Sequence, residues 1–181
     1  MLFHSNIFIL YFFPLTIFFF FVSNKIKLDG KVILIIASLF FYSWWNINYL
    51  PLIILSILIN FFLGKKIQKS QNHKLTLLLI SIMFNISILF SFKYADFFIS
   101  NYNFITNSEI KKLNLPFPLG ISFYTFQIIT YLVDCYYGKI ILHKFKNFAL
   151  FVVFFPQLIA GPIIKYNFLI DKINLEKILI L

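Results

Sequence analysis

Phe154–Ile163 reads FFPQLIAGPI, and Leu115–Gln127 reads LPFPLGISFYTFQ. Both stretches are apolar, and both carry prolines and a glycine that interrupt regular helix. Proline removes a backbone donor and clashes with the preceding turn, and it pushes the residue before it out of helical geometry. In hydrocarbon, irregular backbone survives only when protein buries it or when it lines a wet cavity. Broken helices in so apolar a chain therefore point to a membrane protein built around an internal site.

Composition supports that frame. Of 181 residues, 61% are hydrophobic and 12% charged, with a mean hydropathy of +0.89. A soluble domain carries about 25% charged residues. The formal charge is +10, and all 16 basic residues are lysines. In a soluble domain such a charge would suggest nucleic acid. Here the lysines fill short gaps between apolar runs, where the positive-inside rule puts them, so nucleic acid is excluded as a partner and membrane lipid is expected instead.

The expected fold class is all-α, a multi-pass helical bundle of about six apolar segments. They are Ile7–Val22, Val32–Trp45, Tyr49–Leu63, Leu75–Phe92, Leu115–Val133 and Phe148–Ile164. Trp44 and Trp45 suit a membrane interface. Leu75–Phe92 comes closest to the length a span needs, whereas Tyr94–Ile105 is short and reads as an interfacial or re-entrant helix. The tail from Lys165 to Leu181 is amphipathic. Lysine clusters follow the first, third and fifth segments (Lys25/Lys27/Lys31, Lys65/Lys66/Lys69/Lys74 and Lys139/Lys144/Lys146), which predicts three cytoplasmic loops and an outside N-terminus. Lys93, Lys111 and Lys112 run against this count.

In the fifth segment Gly120, Tyr124, Gln127, Tyr131 and Asp134 recur at steps of four and three, so they share one helix face. Intramembrane polar groups face the bundle interior and mark functional sites by default; the plainer alternative is a polar seam joining two helices. Other chemistry is sparse. His4, His73 and His143 read as solvated loop or terminal residues, and none opens an HxxxD pattern. Gly120–Tyr124 lacks the closing glycine of a nucleophile elbow. The lone Cys135 excludes an internal disulfide and a cysteine-rich metal site. Asn85–Ile86–Ser87 matches a glycosylation sequon but falls mid-membrane.

Five stretches in order carry a resemblance: SLFFYSWWN at Ser38–Asn46, FKY at Phe92–Tyr94, PLGISFYTFQ at Pro118–Gln127, YLVDCYYG at Tyr131–Gly138 and FFPQLIAGPI at Phe154–Ile163. Together they resemble the N-terminal part of membrane-bound O-acyltransferases, in the bacterial branch of alginate and peptidoglycan O-acetyltransferases and the teichoic-acid D-alanylation protein. The resemblance runs from Met1 to about Asp171. It implies a bacterial cytoplasmic-membrane enzyme that takes an acyl group, acetyl in most of this branch, from a cytoplasmic donor such as acetyl-CoA or a carrier-protein thioester. The acceptor is a cell-envelope polymer, often reached through a separate extracytoplasmic acetyltransferase partner. No covalently bound cofactor and no metal are expected.

Under that resemblance the broken segments line a central cavity. The candidates are Ser122, Tyr124, Gln127, Tyr131 and Asp134 from the fifth segment, with Pro156, Gln157, Gly161 and Pro162 from the sixth. The family's signature histidine belongs to the C-terminal half, and neither His4, His73 nor His143 matches it. Residues 1–181 thus read as the N-terminal portion of one transmembrane domain, without a catalytic residue and inactive alone. A small transporter or channel subunit and a non-catalytic membrane remnant remain the alternatives.

Overall fold

A computed structural model describes residues 5–26, 28–140, 144–162 and 164–179; the side chains of residues 24, 25, 159, 160 and 174–179 are outside that description. His4, Lys27 and His143 lie outside the described residues. All regular structure among them is helical.

A π-helical turn, Phe8–Phe12, runs into α1 (Phe13–Lys25). Then come α2 (Gly30–Trp45), α3 (Leu50–Lys69), α4 (Lys74–Lys93) and α5 (Ala95–Thr106). An irregular stretch leads to α6 (Ile121–Tyr136), α7 (Phe145–Val153), α8 (Phe155–Ala160) and α9 (Tyr166–Leu179). Among the described residues two stretches are long and apolar enough to cross a membrane, Ile47–Lys69 and Lys74–Lys93; Phe8–Ser23 and Gly30–Trp45 are shorter apolar helices. The molecule is thus membrane-like in character.

Local chemistry sets the boundaries. Asp29 caps α2 by accepting the Lys31 backbone N–H at 3.2 Å, the usual role of a short acidic side chain at a helix start. Pro51 sits in the first turn of α3, where its missing donor costs nothing. Lys66 and Lys69 lie in the last turn of α3, where cations favour the helix dipole. The apolar segment Leu115–Val133 is helical only from Ile121. Pro116 and Pro118 keep the preceding stretch out of the helix, and Gly120 turns the chain at a φ of +64°, in the left-handed region that glycine enters without strain.

The helices share two ends. At one, the Asp29 carboxylate meets Lys146 at 3.4 Å, and the Gln68 side-chain amide donates to the Ile140 carbonyl at 2.8 Å. These contacts gather the lysine-bearing gaps after α1, α3 and α6 at a single end. At the other, the Tyr49 hydroxyl donates to the Pro116 carbonyl, and the Asp96 carboxylate accepts the Leu113 and Asn114 backbone N–H groups at 2.7 and 2.9 Å. Helix α5 belongs to that second end, packs along α4 and against the stretch before Pro116, and has no buried residue among the described ones.

Helix α6 is the centre of the packing, lying mainly against α3 and α4, while α2 lies against α1 and α7. The segment α7–α8–α9 turns back on itself. It enters at the lysine end with Asn147, and Tyr166 returns to pack edge-on against Phe151 at 5.5 Å and tilted against Tyr131 at 5.4 Å. Asn167 then donates to the Lys139 carbonyl at 2.9 Å. The sixth apolar segment and the start of α9 therefore form a hairpin with both legs at one end of the bundle.

Candidate functional site

The tip of that hairpin meets the start of α6. Phe154 has φ −50° and ψ 106°, out of helical geometry shortly before Pro156, so α7 stops there. The Phe155 N–H finds a substitute acceptor in the Ser38 hydroxyl of α2, at 3.2 Å. The Phe154 carbonyl accepts from Gln157 and Leu158, both at 3.0 Å, and so starts α8. The Phe155 ring is held by Phe8, Phe12 and Phe41 at centroid distances of 6.0, 5.3 and 5.7 Å. Gly161 ends α8, and the Gln157 side chain folds back to donate to the Pro162 carbonyl at 3.1 Å. Proline thus breaks the helix, and side chains of α2 and α8 take up part of the backbone polarity it frees.

Helix α6 approaches this tip through Gly120. A Cβ there would stand 2.9 Å from the Leu158 carbonyl oxygen, nearer than real Cβ atoms come. At the far end of the same face, Gly64 of α3 makes room for Tyr131: a Cβ at Gly64 would lie 2.6 Å from the Tyr131 ring. Tyr131 also packs on Phe148 of α7, with centroids 4.2 Å apart. The α6 stripe therefore faces the interior, bounded by the hairpin tip at one end and by α3 and α7 at the other.

Of the residues singled out from sequence, Tyr124, Gln127, Tyr131 and Gln157 are buried. Ser122, Asp134 and Gly161 are half-buried, and Pro156 and Pro162 are exposed. Pro156 lines an apolar groove of about 520 Å³ between α1, α2, α8 and α9, together with Thr16, Phe20, Leu34 and Phe154. Gln157, next to it, is buried on the inner side.

Three polar features were not singled out from sequence. Tyr42 of α2 is 1% exposed and joins the interior set; it lies within SLFFYSWW, where nothing but its hydroxyl separates it from the phenylalanines around it. Asn60 of α3 and Asn85 of α4 form a reciprocal amide pair at 3.1 and 2.7 Å. The step of four between Ser81 and Asn85 on α4 would have placed both on one inward face. Lys31, read as a loop lysine, is 7% exposed and donates to the Asn147 side chain at 2.8 Å, tying the start of α2 to the start of α7.

The buried part of the site is polar and uncharged, with the Asp134 carboxylate half-buried at its edge. It offers phenols, amides and a broken backbone, so it can bind and orient a neutral polar group. His73, the one histidine among the described residues, is exposed in the turn between α3 and α4, away from this face. Among the described residues no three His, Cys, Asp or Glu side chains cluster to hold a metal, and Cys135 is a buried free thiol.

Compared with curated proteins, the chain is 39% identical over 197 residues to the peptidoglycan O-acetyltransferase of Helicobacter pylori, covering 92% of this chain and 37% of that protein. It is 32% identical over 182 residues to the probable alginate O-acetylase AlgI of Pseudomonas aeruginosa, covering 96% and 35%. Against the AlgI of Azotobacter vinelandii the identity is 33% over 185 residues, covering 96% and 36%. The chain spans little more than a third of the length of these relatives. No protein-family model and no solved structure matches it. By its likeness to both kinds of O-acetyltransferase, along almost its whole length, the chain belongs to the membrane-bound O-acyltransferase family.

Proposed function

We propose that the chain forms the N-terminal portion of an O-acetyltransferase of the cell envelope. The enzyme takes acetyl from a cytoplasmic thioester, acetyl-CoA or an acylated carrier protein, and passes it to a polysaccharide hydroxyl, with an extracytoplasmic acetyltransferase as partner. The observation that carries this reading is the similarity across 92% and 96% of the chain to relatives named for acetylating peptidoglycan and alginate. The broken hairpin against α6 supports it, since irregular backbone inside an apolar bundle marks a working interior. The lysine-bearing end faces the cytoplasm in this reading, because cytoplasmic loops carry the lysine excess, and the N-terminus lies outside.

The residues of this chain position; they do not supply the acid–base step. The 181-residue chain alone, reconstituted in lipid with acetyl-CoA and a polysaccharide acceptor, is expected to transfer no acetyl. Transfer from the isolated chain would overturn the assignment of the chemistry to other parts of the enzyme. In a full-length relative carrying FFPQLIAGPI, Pro162→Ala is expected to insert normally and lose transferase activity, while Leu158→Ile stays active. Unchanged turnover in the Pro162 variant would reduce the segment to a mere kink. For orientation, a cysteine at Lys69 should resist an impermeant thiol reagent on intact cells, and one at Ile47 should react. The reverse labelling pattern would invert the topology.

A further inference from the structure

Tyr42, near the end of α2, and Tyr124, in the first turn of α6, are each 1% exposed. Their hydroxyls lie close enough to influence one another, yet neither makes a hydrogen bond of acceptable geometry within the described protein. One turn along the same α6 face, Gln127 is 1% exposed, and both its amide atoms lack partners. Leaving such groups unmet costs about 1–3 kcal/mol each. The chain had an easy escape, since phenylalanine fills the same space as tyrosine and the sequence uses 27 Phe against 10 Tyr. Hydroxyls kept at two neighbouring buried positions, in a chain this rich in phenylalanine, point to a polar partner that both can reach.

The chemistry of that partner follows from what the site offers. Phenols and a primary amide both donate and accept, and none carries charge. That set matches a neutral O–H group rather than a phosphate, a carboxylate or an ammonium. Two phenols and an amide also give the two to four polar contacts that a buried hydroxyl species needs. The site lies toward the end opposite the lysines, where Tyr49 and Pro116 close the bundle.

We propose that Tyr42 and Tyr124, with Gln127 beside them, form a hydroxyl-binding site that takes a neutral O–H group bridging the two phenols. The group comes from water or from an alcohol of the acceptor; the alcohol source rests on the O-acetyltransferase reading, while the site itself does not.

The test uses the full chain in lipid nanodiscs. Tyr42→Phe and Tyr124→Phe, singly, are expected to lower the unfolding midpoint by about 2–4 °C, as the loss of a satisfied hydrogen bond does. A raised or unchanged midpoint in both single variants means dry, unpaired hydroxyls and overturns the proposal. Methyl glucoside serves as a neutral polyol probe: a midpoint rise in wild type that the double variant lacks assigns the alcohol source, and no rise assigns water. Ultraviolet resonance Raman difference spectra, wild type minus double variant, read the hydrogen-bonding state of these two phenols without depending on stability. A non-bonded signature there also overturns the site. None of these readouts measures acetyl transfer, so the O-acetyltransferase reading can fail while the site stands, and the reverse.

Discussion

Helices α4 and α6 pack along each other, yet they treat polar residues in opposite ways. In α4 the buried residues are Leu78, Ser81 and Asn85, while Leu79, Ile80, Met83, Ile86 and Phe90 are exposed. In α6 buried side chains are apolar and polar together, from Ile121 and Tyr124 to Leu132 and Cys135; Phe123, Ile129, Val133 and Tyr136 are half-buried, and Phe126 is exposed. An apolar outer face with polar residues turned inward is the inverse of a soluble amphipathic helix. Burial in α4 follows hydrogen-bonding need: Asn85 must find Asn60, and the Ser81 hydroxyl donates to the Leu77 carbonyl at 2.6 Å. Burial in α6 follows position, because α3, α4, α7 and α8 all lie against it. The contrast teaches that in this molecule polarity, more than hydropathy, marks the interior.

The largest expected effect breaks the α6 side of that contrast. Gly120→Val forces a β-branched residue to a φ of +64° and drives its Cβ into the Leu158 carbonyl. Left-handed strain and overpacking together should cost about 2–5 kcal/mol, read as a loss of midpoint in steric-trapping or detergent unfolding. A variant of wild-type stability would mean that the hairpin tip does not seat on α6.

A smaller effect sharpens the α4 side. Asn85→Leu should cost about 1–3 kcal/mol by leaving the Asn60 amide unmet, and the double variant Asn60→Leu/Asn85→Leu should recover much of it. Additive losses in that cycle would show that the amides are not coupled. The smallest effect tests the outer face: Met83→Leu, exposed and volume-conserving, should shift stability by less than about 0.5 kcal/mol. A large loss there would place Met83 in a contact with protein rather than lipid.

Much of the α6 face was legible in sequence, because Tyr124, Gln127 and Tyr131 recur at helical steps and polar groups in an apolar run must turn inward. Asp134 keeps the same periodicity but lies near the helix end, so it is half-buried. The breaks at Pro156 and Gly161 were legible too, since proline acts locally through its missing donor. The return of the chain to its entry end was not, because apolar runs can be counted without revealing whether they cross. That return depends on contacts such as Tyr166 on Phe151, far apart in neither composition nor hydropathy. Asn60 and Tyr42 were hidden for the same reason, each a single polar group inside a run whose average is apolar.

The hairpin also fixes an order of assembly. At nine residues, α7 is about 14 Å long, well short of the roughly 30 Å a hydrocarbon core requires. Helices α3 and α4 are long and apolar enough to insert as spans, whereas α7 and α8 are each too short to do so. Their broken backbone is tolerable only where Ser38, the Phe8/Phe12/Phe41 cage and the Gly120 notch already wait for it. The proline-bearing segment is therefore the last piece to dock, on a template built by α2 and α6. Pulse-labelled ribosome-bound chains should show protease protection of α3 and α4 before that of residues 155–161. Simultaneous protection would mean that the hairpin enters the membrane without its template.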